Sequence, residues 1–197
     1  MSKYLLFILL LIACPAYSAE EPDHAIHEEL RAVLSTMQTA INDAKFDDML
    51  PVISENIRAT TINQEVMSNR SEVSTYFYRW FGPGGYLKKL HMTLRPDALT
   101  ELSADKTWGL VRGSGVETYT LSDGRVFDMQ TRWTAVMQKD PDGKWRLLSI
   151  HIGTNFLDNP VLTAAKNAAI RVGLLSAGGG LLLGALLGYF VRRRSKQ

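Results

Sequence analysis

The sequence predicts an α+β domain, helices packed on one face of a curved antiparallel sheet, followed by one C-terminal transmembrane helix. Two patterns predict the domain and a third the anchor. Apolar residues recur at helical spacing in its first third. From Leu87 onward the chain turns β-prone, with Ser122-Asp123-Gly124 and Asp140-Pro141-Asp142-Gly143 as tight turns. Runs of helix followed by runs of strand define the class. Finally, Val172 to Val191 carries no charged side chain and is bracketed by Arg171 and Arg192-Arg193-Arg194.

The first helix is set by Ile26, Leu30, Val33, Leu34, Met37 and Ile41, running from His24 to about Ala44. Phe46, Met49, Leu50 and Ile53 predict a short second helix interrupted at Pro51, and the β-branched run 57–62 a first strand. Ser71-Glu72 opens a third helix carrying Val73, Tyr76, Phe77 and Trp80, which stops at Gly82-Pro83-Gly84-Gly85. Strands are expected at 87–94, 99–102, 107–121, 126–138 and 145–153, then a connector through Asp158-Asn159-Pro160.

The ends of the chain set its expected topology. Lys3, an apolar stretch from Tyr4 to Ala13, and the small residues Ala16 and Ser18 have the three-part layout of a secretory signal, with cleavage near Ala19. Leu11-Ile12-Ala13-Cys14 also resembles a lipobox, so lipidation of Cys14 stands as an alternative, although the short preceding segment disfavours it. Twenty helical residues span about 30 Å, the thickness of the hydrocarbon core. Arg192, Arg193, Arg194 and Lys196 outnumber Lys166 and Arg171 across the span, which keeps the tail cytoplasmic. The expected division is a signal at 1–18, a domain at 19–157, a linker at 158–171, a span at 172–191 and a basic tail at 192–197. A Gram-negative inner membrane with a periplasmic domain suits the compact signal; nothing in the residues excludes a eukaryotic source.

The net charge of +2 is a property of the ends. Between Ala19 and Asn167 there are 16 Lys plus Arg against 20 Asp plus Glu, a net of −4, which excludes a basic nucleic-acid footprint. The one cysteine, Cys14, falls in the signal, so the mature domain is expected to hold neither a disulfide nor a reactive thiol. No metal-ligand spacing, nucleophile motif or dinucleotide fingerprint occurs, and no cofactor is expected.

The element order, with Trp80-Phe81-Gly82-Pro83-Gly84, Thr131-Arg132-Trp133-Thr134-Ala135-Val136, Asp142-Gly143-Lys144-Trp145-Arg146 and Ser149-Ile150-His151, resembles the nuclear transport factor 2-like (NTF2-like) superfamily, and within it the SnoaL-like branch. The resemblance covers roughly His24 to Leu157. It implies a cone whose bent sheet and helices enclose a pocket open at one end. Its members include isomerases, dehydratases, hydrolases and proteins without any reaction, so fold alone leaves function open.

The candidate pocket residues are Tyr76, Trp80, Arg112, Glu117, Arg132, Trp133 and His151. Strict alternation puts Trp145, Leu147, Ser149 and His151 on one face of the last strand, where a histidine can move a proton or orient an acid. Arg112 or Arg132 inside a closed cone would select a carboxylate or phosphate, and pairing with a nearby acid on the exposed face is the alternative. Tyr76, Trp80 and Trp133 would line walls or simply fill core. Two functions remain: a binding or assembly module for a small apolar or acidic ligand, and a pocket enzyme using His151 with Glu117 or Asp128, its catalytic residues otherwise unknown. In the span, Ser176, Gly180, Gly184 and Gly188 share one helix face, a candidate surface for homodimerisation.

Overall fold

The computed structural model describes residues 23–195; the expected signal peptide, with Cys14, and the last two tail residues lie outside them. Helix α1 (His24–Asn42) is followed by a 3-10 segment (Phe46–Val52) that contains Pro51, then β1 (Ile53–Thr60), β2 (Val66–Met67) and α2 (Arg70–Phe81). Next come β3 (Leu87–Pro96), β4 (Glu101–Leu102), β5 (Trp108–Leu121), β6 (Val126–Lys139) and β7 (Trp145–Thr154), and finally α3 (Pro160–Arg194).

The strands form one sheet ordered β2-β1-β7-β6-β5-β3, with β4 hanging on β5. The sheet is mixed, not purely antiparallel as expected: β1 pairs β7 in parallel, while the other pairs are antiparallel. The cause is connectivity. After β1 the chain crosses through β2 and α2 to the far edge, meanders back, and delivers its last strand beside its first.

Local chemistry explains the boundaries. Helix α2 starts one residue earlier than Ser71-Glu72 suggests because Asn69 caps it, accepting from the Glu72 amide at 2.9 Å, while the Glu72 carboxylate reaches back to the Ser68 amide at 2.6 Å. Gly124 and Gly143, at φ 87° and 81°, supply the left-handed residue of each predicted hairpin turn. Arg146 ties the second of these turns to Asp140 at 2.9 Å and Asp142 at 2.6 Å, and its Nε donates to the Pro51 carbonyl at 3.0 Å.

Helix α1 lies across the concave face and buries Leu30, Val33 and Ile41. It also closes the sheet's β3 edge. Asn42 accepts from the Met92 amide at 2.7 Å and donates to its carbonyl at 3.0 Å, and Gln38 accepts from the Leu94 amide at 2.8 Å. Phe46 stacks on Phe77 at 4.8 Å and meets Phe81 at 5.5 Å, fixing α2 to the 3-10 segment.

The expected linker at 158–171 is helical from Pro160 on. Asn159 caps α3 by accepting from the Leu162 amide at 2.9 Å, and proline at the first helical position needs no amide partner. Helix α3 is therefore continuous for 35 residues, and it is the one described helix long and apolar enough to cross a membrane.

Candidate ligand cavity

Alternation along β5 and β6 decides what faces the cone's interior. On β5 the odd-numbered residues Gly113, Gly115, Glu117, Tyr119 and Leu121 point inward; on β6 Met129, Thr131, Trp133, Ala135 and Met137 do. Glycine at 113 and 115 is required by proximity. A Cβ on Gly113 would stand 2.1 Å from the Trp133 ring and 2.5 Å from the Arg95 carbonyl oxygen, and one on Gly115 2.7 Å from the Thr131 hydroxyl. The Trp133 ring thus lies across β5, anchored by its indole N–H donating to the Ser114 carbonyl at 3.0 Å.

Trp133, with Met37, Leu94, Leu147 and Ile150, stands between two small apolar voids. One, of about 120 Å³, lies under the first half of α1. The other, of about 90 Å³, sits deeper among Met49, Ile57, Met67, Val73, Phe77 and Met92 and is room for several water-sized groups. The single carboxyl group lining this deeper void is Glu117, which is 1% exposed. Its two oxygens accept from the Thr131 hydroxyl at 3.0 Å and from the Tyr119 phenol. Burial pushes the Glu117 carboxyl above the ordinary carboxylate range, against the pull of those two hydrogen bonds. The Tyr119 phenol is pushed up by burial and by the neighbouring Glu117, and that of Tyr76 by burial first. The cluster is therefore a carboxyl held by two hydroxyls in an apolar shell, where burial favours its neutral form more than water does.

Ile62, Tyr76 and Tyr119 line both the deeper void and a wider chamber of about 590 Å³ at the cone's mouth. Trp80, Tyr86, Arg125, Phe127 and Met129 are among its walls on the domain side, and Val161, Ala164, Ala165 and Ala168 of α3 form the other. Glu65 holds Trp80 in place, accepting from its indole N–H at 2.9 Å and pairing with Arg79. Partial burial works to raise the Glu65 pKa, yet the hydrogen bonds from Trp80 and Arg79 prevail and hold it low.

Of the residues picked from sequence, Tyr76, Glu117 and Trp133 converge on the deeper void, and Trp80 joins Tyr76 at the mouth. Arg112, Arg132 and His151 lie elsewhere, in a shallow depression on the convex face with Thr134 and Gly153. Arg132 pairs with Asp97, and Arg112 with Glu101 at 3.3 Å; all four are solvent-exposed. Asp128 accepts from Thr118 at 2.6 Å on the same exposed side. His151 is outside because strict alternation fails: Leu147 pairs with Met137 but Ser149 with Val136, leaving Leu148 as an extra residue. This bulge switches the faces, sending Ile150 and Ile152 inward and His151 out. Tyr119 and Thr131 escaped the sequence reading, though Tyr119 stands two residues from Glu117 and so on its face. Among the described residues no cluster of histidines and carboxylates converges as a metal site.

The layered arrangement has clear counterparts. A ketosteroid isomerase-like protein from Erwinia carotovora atroseptica aligns with TM-score 0.55 at 14% identity, over 65% of this chain and 95% of its own. The fold is NTF2-like. An NTF2-like protein of unknown function in nutrient uptake from Rhodospirillum rubrum (TM-score 0.50, 16% identity, 64% of this chain and 98% of its own) shares it. So does a type 2 hexachlorocyclohexane dehydrochlorinase, LinA (0.58, 9%, 67% and 86%). No family model matches the sequence, and no curated protein does. At these identities the NTF2-like likeness establishes architecture alone.

Proposed function

We propose that this protein is a membrane-anchored module of SnoaL-like type, held outside the cytoplasm, whose cone binds a small, largely apolar molecule carrying one carbonyl or hydroxyl group. The observation that carries the reading is Glu117: a carboxyl 1% exposed in an apolar void, its oxygens bonded to Thr131 and Tyr119. Burying such a group costs several kcal/mol unless it is neutral or paired, so an apolar cavity built around it is best suited to an uncharged guest. Arg112 and Arg132 support no acid-binding role in the cavity, since both are on the convex face with partners of their own.

The test is thermal unfolding of the full chain in lipid nanodiscs with a panel of neutral cyclic ketones and alcohols, 1-tetralone and 2-naphthol among them. A ligand at a hundredfold excess over its Kd stabilises by about 2.7 kcal/mol. Glu117→Gln, neutral and nearly isosteric, should keep the stabilisation, and Glu117→Lys should lose it. No stabilisation by any member would overturn the reading.

A second reading, proton transfer within the cone, is favoured by the raised pKa of Glu117 beside the Tyr119 phenol, a carboxyl poised nearer neutrality than a surface acid. His151 and Asp128 are too far outside to take part, so the reaction would rest on Glu117 itself. Here Glu117→Gln separates the two: it retains binding in both but abolishes turnover only in an enzyme.

The anchor is α3, with the basic tail inside the cytoplasm. A tag after Gln197 that reacts with an impermeant reagent in intact cells would refute this orientation. Ser176, Gly180, Gly184 and Gly188 on one face of α3 support pairing of two copies in the bilayer. In a membrane reporter assay Gly184→Ile should weaken association of the segment 171–194, and equal signals would dismiss the pairing.

A further inference from the structure

The mouth chamber is closed on one side by the helix that supports anchoring. Ala164, Ala165 and Ala168 face it, and they precede the uncharged stretch beginning at Val172 by eight, seven and four residues. At about 1.5 Å per residue the mouth stands about 6 to 12 Å above the hydrocarbon boundary. The head-group layer on each side of a bilayer is about 5 to 8 Å deep, so the lower edge of the opening, at Ala168, lies at the depth of lipid head groups, and Ala164 and Ala165 stand just above it.

The rim has matching chemistry. Tyr86 lines the chamber, Val126 adjoins Phe127, and Phe156 and Leu157 fall between Thr154 and the Asn159 cap of α3. These four are 50%, 56%, 77% and 68% exposed, an apolar edge that water does not favour and an interface does. Tyr76, Tyr119 and Ile62 stand between this chamber and the deeper void with Glu117, and line both.

Building on the binding reading above, we propose that the ligand is a bilayer-resident, single-chain lipid with a compact, uncharged, oxygen-bearing head. It enters past the first turns of α3, sets its head against Glu117 and Tyr119, and leaves its tail in the mouth chamber and the bilayer. The size of the compartments fits this polarity: the void at Glu117 takes only a few heavy atoms, whereas the chamber is several times larger. A phosphate head is disfavoured, because its charge would be desolvated beside a carboxyl.

The experiment uses the full chain in nanodiscs of phosphatidylethanolamine and phosphatidylglycerol with two photoreactive probes. One is hexadecanol with a diazirine near its hydroxyl, incorporated in the bilayer; the other is the corresponding hexanol, added from water. Adducts are mapped by peptide mass spectrometry. The proposal expects bilayer hexadecanol to label inward-facing residues of 113–133, and this labelling to fall at least tenfold in Ala165→Trp and in Ala168→Trp, whose unfolding midpoints report that the domain is intact. If only hexanol labels the interior, the bilayer source is wrong while the binding cavity stands. If neither probe labels it, both readings fall. Undiminished hexadecanol labelling in the two folded tryptophan variants would overturn the route past α3.

Discussion

The two faces of β5, β6 and β7 are made of alternating residues of the same strands and yet obey different electrostatics. Outside, Arg132 with Asp97 and Arg112 with Glu101 are solvated ion pairs, and the guanidinium beside Asp97 holds that carboxyl low. Inside, one carboxyl has no cationic partner among the groups bonded to it, only two hydroxyls, and burial drives it the opposite way. Charge is cheap on one side of a strand about a residue thick and costly on the other. Which side a residue occupies therefore matters more than its type, and here that depends on one extra residue.

Inserting one alanine between Ser149 and Ile150 is the most severe way to break the comparison. The inserted residue takes the inward position opposite Ala135, and residues 150–154 exchange faces, so Ile150 and Ile152 leave the core for water and His151 enters it. Full burial of each isoleucine is worth roughly 1.5–3 kcal/mol, and loss of cooperative thermal unfolding is the expected outcome. A stable protein with an unchanged midpoint would show that the faces of β7 do not depend on this register.

A smaller effect is expected from Gly113→Val. Its side chain meets both the Trp133 ring and the backbone oxygen of Arg95, which cannot swing away, so a loss of about 3 kcal/mol in denaturant unfolding is predicted. Glu117→Gln probes the inner carboxyl through pH. Because folding raises its pKa, the stabilising share of Glu117 is fully present below the unfolded value of 4.5 and is lost as pH rises through the folded value. The stability of Glu117→Gln relative to the parent should therefore increase above pH 4.5, by at most about 1.4 kcal/mol per pH unit. A pH-independent difference would mean that the carboxyl is not desolvated. The least effect belongs outside: His151→Ala should change stability by less than about 0.5 kcal/mol, and Arg132→Ala should leave the midpoint unmoved.

These contrasts also define what the sequence could disclose. Element order and the two hairpin turns were legible because periodicity and Asp-Gly chemistry are local. Parity along β5 already separates Arg112 from Glu117, five residues apart, and it would have added Tyr119 to the interior. The Gly113-Ser114-Gly115 run in the middle of a strand was a usable sign of close approach that only Trp133 explains. By contrast, the bulge at Leu148 and the parallel β1–β7 pairing arise from register between segments distant in sequence, which no local pattern records. Nor did the polar run around Asp158-Asn159-Pro160 disclose a helix start: a cap and a first-position proline look like a loop until the helix they begin is known.

The side-chain contacts of Asn42 and Gln38 with β3 have a meaning for life on a surface. On the β3 border α1 engages the Met92 amide and carbonyl and the Leu94 amide, and on the other border the two-residue β2 covers Ala59 and Thr60 of β1. At these positions a neighbour's strand finds fewer free main-chain groups to pair with. Proteins tethered in a plane meet one another at far higher local density than the same number free in a volume, and always in similar orientation. A domain with part of its strand ladder closed in this way is less prone to pair edge to edge with its neighbours at such density.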